Sequence, residues 1–279
     1  MKIAVLSGKG GTGKTLVSVN LAAAANHANY LDCDVEEPNG HLFFKPVDIQ
    51  SEDISIKIPV VDKMLCNGCR KCVDFCKFNA LTYIYDRLVV FESMCHSCGG
   101  CVLLCKEDAL TEKTKNIGVV QRGVSENVNV ATGILNTGEA SGIPIIKNLL
   151  NYSNENDKYT FIDSPPGSAC TTMESIKDAD YCILVAEPTI FGVHNLSMVY
   201  ELVNLFGKPH GVILNKCLDE KNPAEEFCIE NNIKILGKIP FEDELGKLNS
   251  NALIAVRENE KYYSLFSNLL KIVSKEVTK

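Results

Sequence analysis

Short apolar runs alternate along most of the chain with longer stretches of helical character, and glycine, proline or acidic residues punctuate them. The first run, Lys2–Leu6, is followed by a glycine-rich loop over 7–13 and an alanine-rich stretch, about 14–27, that reads as a helix. A second run over 30–33 ends on acidic residues, so the chain opens as strand, loop, helix, strand. From Gly138 onward the pattern predicts a helix over about 141–152 and strands over 158–163 and 180–186. A helix over 192–206, strands over 210–214 and 233–237 and a last helix over about 258–275 follow. Short apolar strands alternating with helices predict a doubly wound, mostly parallel α/β sheet covered on both faces.

Between Pro59 and Thr114 this rhythm stops, and paired cysteine runs without helical periodicity replace it. MLCNGCRKCVDFCKFNALT is echoed 29 residues later by MCHSCGGCVLLCKEDALT, with Ala80-Leu81-Thr82 matching Ala109-Leu110-Thr111. That is an internal duplication. The expected organisation is therefore one discontinuous α/β domain, 1–58 and 115–279, with a small domain inserted over 59–114.

Composition adds limits rather than detail. Hydrophobic residues make up 46% of the 279 and charged ones 23%, which suits a globular chain and not a disordered one. No apolar run approaches the ~20 residues of a spanning helix, and the first strand leads straight into the glycine loop, so a cytoplasmic location without stable membrane insertion is expected. A net charge of −7 supplies no positive field for nucleic acid. Of thirteen cysteines, eight fall between Cys66 and Cys105; in a reducing compartment these read as metal ligands. The scattered Cys33, Cys170, Cys182, Cys217 and Cys228 are expected mostly as buried small hydrophobes.

Gly8-Lys9-Gly10-Gly11-Thr12-Gly13-Lys14-Thr15, set between a strand and a helix, satisfies G-x-x-x-x-G-K-[ST]. Glycines let successive backbone N–H groups face phosphate oxygens at a helix N-terminus, with Lys14 reaching the β- and γ-phosphates and Thr15 on Mg²⁺. Cys66, Cys69, Cys72 and Cys76, and again Cys95, Cys98, Cys101 and Cys105, follow the C-x₂-C-x₂-C-x₃-C spacing of bacterial ferredoxins, in which the fourth cysteine of each run serves the other cluster. That pattern assigns Cys66, Cys69, Cys72 and Cys105 to one [4Fe–4S] cluster and Cys95, Cys98, Cys101 and Cys76 to a second. Zinc sites more often use two well-separated C-x₂-C pairs. Lys77 and Lys106 stand where the ferredoxin pattern has proline.

The additional lysine in KGGTGKT, Lys9, resembles the deviant phosphate loop of the family that contains MinD, the ParA partition ATPases and the nitrogenase iron protein. The resemblance implies an ATP-binding and ATP-hydrolysing protein, with Lys9 reaching a partner's phosphates across a homodimer or a heterodimer with a paralogue. Asp32-Cys33-Asp34 matches the family's first switch, implying that Asp34 positions the attacking water and Asp32 supports it. Asp163, ending the run 161–163 before Ser164-Pro165-Pro166-Gly167, matches the Mg²⁺-holding aspartate, and the Gly167 amide would sense the γ-phosphate. Asn215-Lys216 and Pro240 match the base-contacting positions. Cys170 lies where the nitrogenase iron protein has a cluster ligand, although a matching second cysteine between 115 and 162 is lacking. The set closest in organisation is the MinD-like ATPases with an inserted ferredoxin.

Three functions fit these parts: nucleotide-gated electron transfer with a redox partner, assembly or carriage of iron–sulfur clusters for an apo-metalloprotein, and a redox-sensing positioning ATPase. The duplicated cysteine motif favours the first. The last helix is amphipathic and reads as core packing, with a membrane-surface role as the rival.

Overall fold

The computed structural model describes residues 1–152, 158–218 and 222–277. In chain order the elements are β1 (Lys2–Leu6), α1 (Lys14–Ala25), β2 (Ala28–Asp32), α2 (Gly40–Phe44), β3 (Val47–Val61), α3 (Lys71–Phe75), β4 (Leu81–Ile84) and β5 (Arg87–Val90). They continue with α4 (Gly100–Leu103), β6 (Leu110–Ser125), β7 (Val128–Leu135), α5 (Ile143–Leu150), β8 (Tyr159–Asp163), α6 (Cys170–Ile176) and β9 (Tyr181–Ala186). The rest are α7 (Ile190–Leu205), β10 (His210–Cys217), α8 (Pro223–Glu230), β11 (Ile235–Pro240), α9 (Asp243–Ser250), α10 (Ala255–Glu258) and α11 (Glu260–Val277).

Among the described residues one sheet runs β11-β10-β9-β1-β8-β2-β7-β6-β3. Its pairs from β11 to β7 are parallel, and β6 joins β7 and β3 antiparallel. Alternate side chains of the parallel strands enter different cores, because Cβ direction flips at each residue. Ile3, Val5, Tyr30, Phe161 and Ile183 pack with α1, α10 and α11 on one face, whereas Ala4, Leu6, Leu31, Ile162 and Leu184 pack with α5, α6, α7 and α8 on the other. Fully burying each such aliphatic or aromatic side chain contributes about 1.5–3 kcal/mol.

The last helix belongs to the first of these cores. Tyr262, Phe266, Leu269, Leu270 and Val273 form a buried stripe at helical spacing, so its amphipathic pattern is used inside the molecule. Helix starts follow local chemistry. Thr189 accepts from the Gly192 N–H at 2.9 Å to cap α7, and Asn222 accepts from the Glu225 N–H at 3.2 Å to cap α8, with Pro223 at its first position.

β3 and β6 are longer than the sheet is deep. β6 pairs with β7 only from Gly118 to Ser125, whereas β3 and β6 remain paired as far as Val61 opposite Leu110. A bulge marks the departure: Ile54 opposes Gly118 and Ser55 opposes Asn116, which leaves Ile117 as the extra residue. Beyond it a two-stranded ribbon leaves the sheet, and the cysteine segment 62–109 caps the ribbon.

The duplication seen in the sequence is repeated in the backbone. The Asp62 N–H donates to the Ala109 carbonyl and the Phe91 N–H to the Ala80 carbonyl, each at 2.8 Å, and these pairs are related by the 29-residue offset. Left-handed φ values recur at the same offset, at Gly68 and Ser97, Arg70 and Gly99, and Asn79 and Asp108. A separate small core of Leu81, Leu88, Cys101 and Leu110 sits between the halves.

Candidate functional site

Parallel register brings the chemistry of distant segments to one edge. Val5 pairs with Asp163 and Asp32 pairs with Asp163, so the ends of β1, β8 and β2 deliver the phosphate loop and two aspartates side by side. The β1-to-β2 connection crosses β8 in one direction and the β8-to-β9 connection crosses β1 in the other, which is the switch point where open α/β sheets bind ligands.

The loop over 7–15 encloses Lys14, whose Nζ donates to Asp163 Oδ1 at 2.6 Å and stands 3.6 Å from Asp34 Oδ2. Burial opposes the ammonium charge, but Asp163 and Asp34 outweigh it and raise the Lys14 pKa. Tyr30 donates its hydroxyl to Asp163 Oδ2 at 2.8 Å, so Asp163, only 1% exposed, is held on both oxygens. Asp32 accepts from the N–H groups of Gly40 at 2.8 Å, Asn39 at 3.1 Å and Asp34 at 3.3 Å. Burial and the neighbouring Asp163 nevertheless push its carboxyl up to about 7. Asp34 also lies above the usual carboxylate range, through burial and despite Lys14.

These groups border an open cleft of about 1040 Å³. Its lining includes Lys9, Gly10, Gly11, Gly13, Lys14, Thr15 and Asp34, with Glu37 and Asn39 from the segment that follows the first-switch match, and adds Asn249 and Ser250, which carried no motif in the sequence. Thr15 sits in the first turn of α1. The Gly167 N–H donates to the Ser7 carbonyl at 2.9 Å, linking the loop after β8 to the phosphate loop. Gly8 and Thr12 complete the loop, and Thr12 Oγ1 donates to the Lys9 carbonyl at 3.1 Å.

Asn215 and Lys216 brace the loop from outside the cleft. Asn215 Nδ2 donates to the Thr12 carbonyl and Lys216 Nζ to the Gly11 carbonyl, both at 2.8 Å. Gly13 has φ +98, and a side chain there would collide with the Asn215 amide, so glycine is required twice over. Pro240 pairs with Cys217 beyond these residues and does not line the cleft. Glu187 is a further residue the sequence did not reveal. Its carboxylate lies 3.0 Å from Lys9 Nζ and 2.6 Å from Lys216 Nζ, and although burial opposes its charge the two lysines hold its pKa below the ordinary value.

The eight clustered cysteines surround two separate cavities. Cys66, Cys69, Cys72 and Cys105 line one, and Cys76, Cys95, Cys98 and Cys101 line the other. The thiols ring these spaces instead of meeting at a point: among the described residues no three Cys, His, Asp or Glu side chains converge as they would on one ion. The second cavity is also bordered by Lys57, Pro59 and Glu112 of the ribbon, nearer the sheet than the Ala109 and Leu110 that border the first. His96 stacks on Phe78 with ring centroids 3.8 Å apart.

Of the five scattered cysteines, Cys33, Cys182 and Cys228 are buried as expected and Cys217 is half-buried. Cys170 corrects the expectation of a buried thiol: it is exposed, because it is the first residue of α6, where the chain emerges from the loop beyond β8.

The family model for the CobQ/CobB/MinD/ParA nucleotide binding domain matches residues 3–255, nearly the whole chain. The chain belongs to this MinD/ParA family. Its large, mostly parallel sheet is that of a MinD/ParA-type P-loop nucleotide-binding domain. An uncharacterized protein of Methanocaldococcus jannaschii is 32% identical over 265 residues, covering 94% of this chain and 92% of the relative. An iron-sulfur cluster carrier protein of Methanococcus maripaludis is 26% identical over 306 residues, covering 99% and 86%. Among solved structures, MinD of Pyrococcus horikoshii, complexed with Mg-ADP, superposes with a TM-score of 0.61 at 20% identity, covering 98% of this chain and 96% of that one, a likeness of fold. Among the described residues of this MinD/ParA-family chain, no helix is long and apolar enough to cross a membrane.

Proposed function

We propose that this chain is a dimeric, ATP-hydrolysing iron–sulfur protein in which nucleotide state controls electron transfer through an inserted ferredoxin-like domain, about 59–114. The observation that carries the reading is the crossed grouping of the cysteines: each cavity is lined by three thiols of one run and the fourth of the other. Bacterial ferredoxin ligation requires this crossing, and the backbone symmetry of the segment agrees with it. Cys66, Cys69, Cys72 and Cys105 would hold one [4Fe–4S] cluster and Cys76, Cys95, Cys98 and Cys101 the other, together supplying one-electron transfer.

At the nucleotide site the loop amides and Lys14 would bind the β- and γ-phosphates, with Thr15 and Asp163 holding Mg²⁺. Lys14 would exchange its bond to Asp163 for the phosphates, leaving Asp163 to the metal and Asp34, 3.6 Å from the lysine, to orient a water for in-line attack. Lys9 would serve the partner protomer's phosphates after leaving Glu187. Asn215 and Lys216, already fixed on the loop, would border the base with Pro240. A redox partner, or an apo-metalloprotein client, would meet the cysteine domain, and the working location would be the cytoplasm.

The test is a redox titration of the anaerobically purified protein with and without Mg-ATP, followed by incubation with an apo-ferredoxin acceptor. Midpoint potentials that move with nucleotide support the reading. Potentials indifferent to nucleotide, together with ready loss of iron to the acceptor, would sink it. The second outcome is the signature of a cluster carrier, the alternative favoured by likeness to the Methanococcus maripaludis protein.

A further inference from the structure

We propose that Lys115 is a positioning residue that couples the nucleotide site to the second cysteine set, so that the loop after β2 governs the backbone entering Cys95. This rests on the function proposed above and supplies the physical link it needs. Lys115 lies on β6 just outside the bulge, where the ribbon has left the sheet. Its Nζ donates to Glu139 Oε2 at 2.7 Å and reaches the Glu92 carbonyl at 3.4 Å. The two side chains are only 19% and 12% exposed, so the pair is shielded from salt and water. Glu92 begins the 3-10 turn Glu92–Met94 that delivers Cys95. Ser97, two residues later, accepts from the Lys57 N–H at 3.1 Å and donates to its carbonyl at 2.7 Å, holding this loop on the ribbon.

Glu139 is in turn positioned from the nucleotide side. Val35, next to Asp34, accepts from the Leu135 N–H at 2.8 Å, and a methyl group on Gly142 would collide with its side chain. Segment 135–142 therefore touches Val35 at both ends and Lys115 in its middle. Its turn is further pinned by the Asn136 N–H on the Ile117 carbonyl at 2.9 Å and by Asn136 Nδ2 on Asn116 Oδ1 at 3.0 Å. Beside Lys115 and Glu139 lies an open cleft bordered by Cys95, Ser97, Glu139, Ser141 and Lys147, so the cysteine loop is not packed on that side.

Coupling needs an element with two arrangements that both sites bias. In this proposal that element is the Asp34–Val35 segment, which joins the carboxylate beside Lys14 to the side chain on which 135–142 packs. Lys14 donates to Asp163 at 2.6 Å and stands 3.6 Å from Asp34, so a shift of its ammonium onto a phosphate oxygen would change the charge that faces Asp34. Val35 then transmits any shift to 135–142, because a packed contact without free space moves as a unit.

Hydrogen exchange on the full-length protein, with and without Mg²⁺ and a non-hydrolysable ATP analogue, tests this directly. The nucleotide should alter exchange at both 33–37 and 92–98, by about fivefold or more. Lys115→Met and Glu139→Gln should keep the response at 33–37 and lose it at 92–98, while Lys115→Arg, which retains the donors and charge, should keep both. A wild-type response at 33–37 without one at 92–98, or transmission that survives both neutral variants, overturns the proposal. Iron content, read separately, tells its failure from that of the cluster reading: a response at 92–98 in protein that cannot be loaded with iron refutes the clusters and leaves the coupling standing.

Discussion

Two carboxylates facing one lysine set the behaviour of the nucleotide site at the scale of single residues. Asp32 is raised to about 7 in the folded chain, far above its ordinary value. A folded protein that holds this proton more tightly than the unfolded chain gains stability from it at low pH. That contribution is complete below about pH 4 and is lost as pH rises toward 7. Thermal melts of the nucleotide-free protein should therefore show an Asp32 contribution that declines across this window, and Asp32→Asn should flatten that part of the profile. An unchanged slope in the variant would exclude it. Asp34→Asn should retain Mg-ATP in a binding assay yet hydrolyse it about 10²–10⁴-fold more slowly, the usual range for a positioned acid or base.

The residues of this site were unequally legible in the sequence. The positions of Lys14 and Thr15 at the start of α1 and of Asp163 at the end of β8 were readable because each sits in a short motif that marks the border of an element. Tyr30 and Glu187 carry no motif. Each is a single residue whose role appears only when parallel pairing brings β2 beside β8, or β9 beside β1 and β10. Cys170 misled because cysteine is usually buried, whereas here its place at a helix start decides its exposure.

At the scale of elements, the α/β alternation after residue 138 was readable because strands buried on both faces are short, apolar and bounded by turn residues. The ribbon was not. The first part of β3, Val47–Asp53, is exposed and mostly polar, and the alternation that does run through Ile54, Ile56, Ile58 and Val60 leads straight into the cysteine segment, so it reads as part of that segment's border and not as a strand. The duplicated cysteine motif made up for this by marking the segment the ribbon carries. Its crossed geometry has a direct consequence: Cys76→Ser, although it changes the first run, should damage the site formed mainly by Cys95, Cys98 and Cys101. Reconstituted protein should lose roughly half its iron, with the remaining spectroscopic signal from the set that includes Cys105. Loss confined to the first run's own site would rule out the crossing.

At the scale of the whole molecule, Glu187 ties Lys9 to its own protomer. Sedimentation with Mg-ATP should show the mass doubling for the parent protein and not for Lys9→Ala. Glu187→Gln, which weakens the hold on Lys9, should dimerise at lower nucleotide concentration. A dimer that forms equally well without Lys9 would remove that residue from the interface.

The ribbon that departs at Ile117 also sets how far the cysteine segment can be treated as a separate part. Its two strands leave and return as hydrogen-bonded neighbours, roughly 5 Å apart, so the chain beyond Lys57 and Thr114 joins the sheet through one hairpin stem, with the Lys115 contact to the Glu92 carbonyl as an added tie. A stem of that kind can accept or surrender a cargo without disturbing the strands beneath it, since a tight turn closes the same pair of ends. Replacing 58–113 by Asn-Gly should accordingly leave a folded protein that still binds nucleotide. The nucleotide-binding part and the cysteine segment would then be separable at a single seam.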